Sequence, residues 1–218
     1  MNTNLVEKYR PRGLDEIAAQ PEVVRQLSTY VSEPYPTAFL FSGPTGTGKT
    51  SAALAVAAGL GINLDDAEFG GLYQIASGEQ DGASVRRMMG TMRLRPMLPG
   101  PLAWRVLIVN EAETMTAAAG HVWLDALEQL PPRSTVIFTT NAPQKIPGRL
   151  RDRCEGMHFS GKALEICYHV LDYIERIWVL ENGKGPAPDV FQLGVIDENG
   201  DVSFRRVLQR MTPLLRPV

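Results

Sequence analysis

The 218-residue sequence predicts an α/β fold, a parallel sheet of five strands with helices on both faces followed by a small helical lid. Three observations predict it. The apolar run Ala38-Phe39-Leu40-Phe41 leads into Gly43-Pro44-Thr45-Gly46-Thr47-Gly48-Lys49-Thr50, which fits the phosphate-loop pattern G-x-x-x-x-G-K-[ST] in its strand-to-helix setting. Strand-like runs then alternate with helical stretches, the order that builds a parallel sheet. From about Ser160 the alternation stops and helical patterns alone follow.

Each element has its own signal. Val23, Val24, Leu27 and Val31 recur at helical spacing after Pro21, a residue tolerated in the first turn of a helix. The alanine-rich stretch from Ser51 to Leu60 continues the phosphate loop as a helix whose N-terminal dipole faces the loop. Leu72-Tyr73-Gln74-Ile75-Ala76 reads as a second strand, a helix follows from Gly82 through Met92, and Pro96, Pro99, Gly100 and Pro101 make a loop. The run from Trp104 to Val109 is the most apolar strand and is continuous rather than alternating, as a strand buried on both faces must be. A helix from Thr116 to Leu130 stops at Pro131-Pro132, and strands at Ser134 to Phe138 and Cys154 to Phe159 complete the sheet. Beyond Ser160, Leu164, Ile166, Val170, Leu171, Ile174, Ile177 and Val179 define one broad apolar helix. A Gly/Pro-rich break precedes a second helical stretch near Val190, and a third runs from about Ser203 to Met211. The expected domains are an α/β domain over 1–159 and a lid over 160–218, the latter too small for an independent core and so packed on the sheet.

Composition narrows the class of protein. No apolar stretch approaches the roughly 18 residues of a membrane span, and Met1-Asn2-Thr3-Asn4 lacks a basic-then-apolar leader, so a cytoplasmic or nucleoid-associated protein is expected. Cys154 and Cys167 have no metal-ligand partners at a recognisable spacing and read as reduced thiols. The net charge of −2 carries no global signal for nucleic acid, but between Asp81 and Glu111 no acid occurs while Arg86, Arg87, Arg93, Arg95 and Arg105 do. Such a stretch is either a solvated face balanced by acids elsewhere or a polyanion contact.

The phosphate loop sets the chemistry. Its glycines let successive N–H groups turn toward phosphate oxygens, Lys49 supplies a mobile cation and Thr50 a hydroxyl for Mg²⁺. Glu111, at the C-terminal end of a central strand, stands where open α/β sheets bind ligands and is a candidate general base; its plain alternative is a solvated turn acid. Asn110 offers oxygen but no charge, a deficit toward Mg²⁺ of about 1–3 kcal/mol. Asn141, ending the next strand, either orients the attacking water or caps the strand. Arg149, Arg151 and Arg153 cluster before the last strand, and an arginine delivered to a neighbour's γ-phosphate contributes about 10³ to 10⁵ in rate.

Taken together these pieces resemble one family. Glu7-Lys8-Tyr9-Arg10-Pro11 is similar to the N-terminal signature of the small subunits of replication factor C, in the clamp-loader branch of the AAA+ ATPases. Gln20, the phosphate loop, Asn110-Glu111-Ala112-Glu113 at the Walker B place, Asn141 at sensor 1 and Asp152-Arg153-Cys154 at the Ser-Arg-Cys motif follow in family order. Leu127-Glu128-Gln129-Leu130-Pro131-Pro132 and Pro143-Gln144-Lys145-Ile146-Pro147 are closer to the bacterial clamp-loader motor subunit. The resemblance implies ATP and Mg²⁺ as ligands, held by residues 43–51 including Ser51. It implies Arg153 as an arginine finger serving a neighbour's ATP and Arg205 as the sensor 2 arginine. It also implies an adenine pocket lined by Tyr9, Arg10, Pro11, Ile17 and Ala18. Arg86 and Arg87 fall on the helix that tracks primer-template DNA, and the implied partners are homo- or hetero-oligomeric AAA+ subunits, DNA and a sliding clamp.

The sequence departs from that pattern in several places. Asn110 replaces the usual aspartate and Asp152 the usual serine, and the sequence given stops at Val218, just after the lid, where family members continue into a helical collar. The helix from Gly120 to Leu130 lacks the double arginine common in replication factor C subunits. Three readings stay open: an ATP-driven clamp-loader-like switch, a weakly or non-hydrolysing subunit that lends Arg153 to a partner, and another DNA remodeller such as a helicase loader or branch-migration motor.

Overall fold

The computed structural model describes residues 4–66, 70–94 and 104–215. The strands are β1 (Thr37–Ser42), β2 (Leu72–Ile75), β3 (Arg105–Val109), β4 (Ser134–Thr140) and β5 (Glu155–His158). They form one five-stranded sheet in the order β2-β3-β4-β1-β5, every pairing parallel. The described helices of four or more residues are α1 (Leu5–Lys8), α2 (Pro21–Ser32), α3 (Lys49–Gly59), α4 (Gly82–Arg93), α5 (Ala117–Glu128), α6 (Gly148–Arg151), α7 (Ala163–Leu180) and α8 (Phe204–Leu215). The loop expected around Pro96 to Pro101, and Arg95 with it, lie outside the described residues.

Strand alternation sorts the side chains into two layers. Phe39 and Phe41 turn to one face, where Leu27 of α2 and Ala52, Val56 and Ala57 of α3 cover them. Ala38 and Leu40 turn to the other, against Val85 and Met89 of α4 and Trp123 of α5. Full burial of each large apolar side chain contributes about 1.5–3 kcal/mol, so the fully buried Phe39, Phe41, Phe138 and Trp123 are main contributors to the fold. Ala52, Ala53, Ala55 and Ala57 of α3 are buried, with Ala52, Ala53 and Ala57 in the cluster on this face of the sheet.

Register positions the site. Ser42 pairs with Thr140, so the loop starting at Gly43 emerges beside Asn141, and Gly43 N–H donates to Thr140 O at 3.3 Å. Val109 pairs with Phe138, which puts the β3–α5 turn next to Thr139.

Four local expectations need correction. β4 runs on through Thr139 and Thr140, because buried β-branched threonines extend a central strand as well as apolar residues do. No helix forms near Val190: Asp189 Oδ1 accepts from Phe191 and Gln192 N–H, starting a turn that Gly194 ends in left-handed conformation, so too few residues remain for a helix. Antiparallel bridges Lys162↔Asp201 and Ile196↔Val202 flank this turn region, so the part after Ser160 is not purely helical. The buried face of α7 comprises Ile166, Val170, Tyr173, Ile174, Ile177 and Trp178, whereas Leu164, Leu171 and Val179 face solvent, since the two aromatics replace them on the inner stripe.

A third apolar cluster joins α7 and α8 to Leu5 and Ala19 from the N-terminal segment. Among the described residues no helix is long and apolar enough to cross a membrane.

Candidate nucleotide site

The C-terminal edge of the sheet opens into a cleft of about 170 Å³ walled by the phosphate loop, the ends of β3 and β4, the N-terminal arm and α8. Gly43, Gly46 and Gly48 have φ of 145°, 81° and 99°, conformations costly to any other residue. A Cβ on Gly43 would lie 2.1 Å from Phe159 O and one on Gly46 2.0 Å from Ser203 Oγ, so both positions also require the missing side chain. Phe204 N–H donates to Gly46 O at 3.0 Å, which ties the loop to the start of α8.

Lys49 is buried at 8% exposure and its ammonium is fully engaged, donating to Gly43 O and Pro44 O at 2.7 Å and to Asn141 Oδ1 at 2.8 Å. Thr47 Oγ1 donates to Pro44 O at 2.8 Å and firms the same turn. Burial lowers the Lys49 pKa to about 8; the carboxylates of Glu113 and Glu111 oppose the shift and Arg205 adds to it. The unfolded chain holds this proton more tightly than the fold, so the free protein gains stability as pH rises from about 8 toward 10.5, while a bound polyphosphate needs the proton in place. Nucleotide affinity is therefore expected to fall about tenfold from pH 7 to pH 9, with proton uptake on binding at the upper end. Titration calorimetry in buffers of different ionisation enthalpy measures both, and a pH-independent affinity would contradict it.

Glu111 has φ 49° and ψ 54°, left-handed for a non-glycine residue and costly by about 1–3 kcal/mol. Several contacts hold it there: its N–H donates to Thr139 Oγ1 at 3.3 Å, its carbonyl accepts from Gln80 Nε2 at 3.1 Å and from Thr114 Oγ1 and N–H at 2.9 Å, and its carboxylate accepts from Ser77 Oγ at 2.5 Å. Gln80 is buried at 2% exposure and also donates to Asn110 O, so one carboxamide braces the whole turn. Glu113 Oε1 accepts the Asn141 N–H at 3.1 Å, fixing the residue whose side chain holds Lys49.

Most of the expected site residues converge. Tyr9, Arg10, Pro11, Thr45, Gly46 and Gly48 line the cleft, as do Lys49, Thr50, Ser51, Glu111, Asn141 and Arg205. Ile17 and Ala18 line a smaller adjoining recess of about 40 Å³ with Thr47 and Phe204. Three groups stand elsewhere. Asn110 ends β3 with its N–H on Ile75 O at 3.1 Å and is not among the lining residues. Arg153 is exposed outside the cleft, paired with Glu128 of α5 and donating to Arg149 O at 3.2 Å. Arg86 and Arg87 are exposed on α4.

Arg105 does not belong to that basic surface. It is buried at 8% exposure, and its guanidinium donates to Met92 O, Leu94 O and Pro132 O, holding the end of α4 against the sheet. Sequence reading missed Val6, Tyr173 and Leu208 as lining residues, and Ser77, Gln80 and Glu113 as braces. Of these, only Glu113 carried a signal, its place in the Asn110-to-Glu113 motif.

The donor set fits a nucleotide's phosphates: backbone N–H groups of a glycine loop, the N-terminus of an 11-residue helix, a buried ammonium and an arginine. A parallel sheet with that loop after a central strand defines a P-loop nucleotide-binding protein. The chain belongs to the AAA family, ATPases associated with various cellular activities, whose family model matches residues 39–161. It is 29% identical over 204 residues to the replication factor C small subunit of Aeropyrum pernix, covering 93% of this chain and 60% of that protein. It is 34% identical over 155 residues to that of Thermofilum pendens, covering 71% and 46%. The chain thus spans about half to three fifths of these relatives. In fold it is similar to the Holliday junction branch migration motor RuvB of Thermotoga maritima, with a TM-score of 0.62 at 20% identity, over 94% of this chain and 64% of that one.

Proposed function

We propose that the chain is an ATP-binding and ATP-hydrolysing subunit of a clamp-loader-like complex on DNA, with each ATP site shared between neighbours. One observation carries this reading. The cleft gathers Lys49, Thr50, Glu111, Asn141 and Arg205, while Arg153 stands exposed away from it, an arrangement that supports delivery of Arg153 to a neighbour's site. The similarity to replication factor C small subunits supports the same assignment.

In this reading the loop and Lys49 hold the phosphates, Asn141 orients the γ-phosphate or the attacking water, and Glu111 takes the water's proton. Thr50 would hold a Mg²⁺ ion, which would supply charge neutralisation at the phosphates. Residues 1–159 act as the nucleotide-binding unit and 160–218 as a lid whose Arg205 senses the γ-phosphate, consistent with the Phe204–Gly46 link. Arg86 and Arg87 contact DNA phosphates, a sliding clamp is the further partner, and the protein works in the cytoplasm or nucleoid.

Primed DNA is expected to raise ATP turnover several-fold, and the double variant Arg86→Ala, Arg87→Ala to lower the log–log salt slope of DNA binding by about 2. DNA without effect on turnover would sink the DNA-dependent switch. Asn110 favours a second reading, a weakly hydrolysing subunit whose main contribution is Arg153. Asn110→Asp decides between them: a large gain in turnover supports the weakened site, and an unchanged rate supports a native site that is already competent.

A further inference from the structure

One wall of the cleft is built by residues distant in sequence. Tyr9 comes from the N-terminal arm and Tyr173 from α7, and Phe204, in the adjoining recess, stands edge-on to Tyr173 with ring centroids 5.2 Å apart and planes at 88°. Leu5 of the arm is buried in the α7–α8 cluster, and Val6 and Tyr9 pack against it. α1 is four residues long and Leu5 is its one buried residue. The bond that orients the Tyr9 hydroxyl comes from 172 positions away: Glu181, the residue just after α7, accepts the Tyr9 hydroxyl at 2.6 Å and the Lys8 ammonium at 2.6 Å on the same Oε1. The Glu181 side chain is 19% exposed, so these bonds are less screened than a surface pair. Burial and the Glu181 carboxylate push the Tyr9 hydroxyl's pKa well above the ordinary tyrosine value, so it remains a donor at any physiological pH.

We infer that Glu181 is a positioning residue for the nucleoside: it fastens the Tyr9 arm to the end of α7 and so sets the aromatic wall against which the base packs. This inference rests on the nucleotide-site reading and deepens it, because it assigns base-side and phosphate-side binding to different parts of the chain. Lys49 and the glycine loop grip phosphate without reference to Glu181. Loss of the carboxylate therefore loosens the base side alone.

The test compares Mg-ATP with Mg-tripolyphosphate, which keeps the phosphates and lacks the nucleoside, by calorimetry on the full chain. Glu181→Gln is expected to raise the Kd for ATP about fivefold and leave that for tripolyphosphate unchanged. Tyr9→Phe is expected to act similarly, and the double variant to be no worse than the larger single change, as for groups acting as one unit. Lys8→Met, an exposed substitution on the same carboxylate, gives about a twofold loss and serves if Glu181→Gln does not fold. An unchanged ATP affinity in the folded Glu181 variant overturns the inference, as does equal weakening of ATP and tripolyphosphate, which marks a merely structural residue. Wild-type protein that binds neither ligand overturns the nucleotide-site reading beneath it, a result distinct from a silent variant.

Discussion

Arg153→Ala is expected to lower ATP turnover about 10³-fold while leaving the subunit's own ATP affinity intact. The structure separates the two effects. Arg153 does not line its own cleft, and among the described residues its guanidinium bonds the exposed Glu128 carboxylate and the Arg149 carbonyl. A surface pair of this kind contributes little to stability, and the buried Leu150 nearby keeps α6 in place, so the unfolding temperature should barely move. A guanidinium gripped along one edge still offers its remaining N–H donors to a neighbour. Mixing Arg153→Ala with Lys49→Ala subunits provides the internal check, because an intact loop from the first and an intact arginine from the second rebuild a working site. Full turnover in Arg153→Ala alone would refute the shared site, and loss of ATP binding would place Arg153 in a role within its own subunit.

Glu111→Gln is expected to reduce turnover by about 10² to 10⁴ without weakening ATP binding. The carboxamide keeps the size of the side chain and can still accept from Ser77, so the turn geometry is preserved and the loss reports removal of the base. The left-handed backbone of Glu111 supports a functional rather than ornamental placement. Gln80 and Thr139 brace that conformation from both sides. Single-turnover kinetics with bound ATP measure the chemical step, and a loss below about threefold would return Glu111 to the role of a simple turn residue.

Both predictions use residues that the sequence alone makes legible. Lys49, Thr50, Glu111, Asn141 and Arg153 stand in motifs whose chemistry depends on local order, since a glycine loop or a strand-end acid is specified within a few residues. The braces are not legible in the same way. Gln80 sits in a polar stretch with no pattern, and Arg105 sits among arginines that resemble one surface in the sequence, whereas the path of the chain turns it inward against Met92 and Pro132.

The sequence by itself determined the alternating strands and helices and the phosphate loop with its cation, and offered the acid and the arginines as candidates, because hydrophobic period and backbone preference act over short range. It misjudged the stretch near Val190 and the outer face of α7 for the same reason: periodicity identifies apolar residues but not which of them win the inner face once Tyr173 and Trp178 compete for it. Only the tertiary structure decided the Ser42–Thr140 register that sets Lys49 beside Asn141, the brace from Gln80 to Glu111, and the grip of Glu181 on Tyr9. Those contacts join residues tens to more than a hundred positions apart. Their partners are chosen by how the layers pack, a choice that local pattern does not encode.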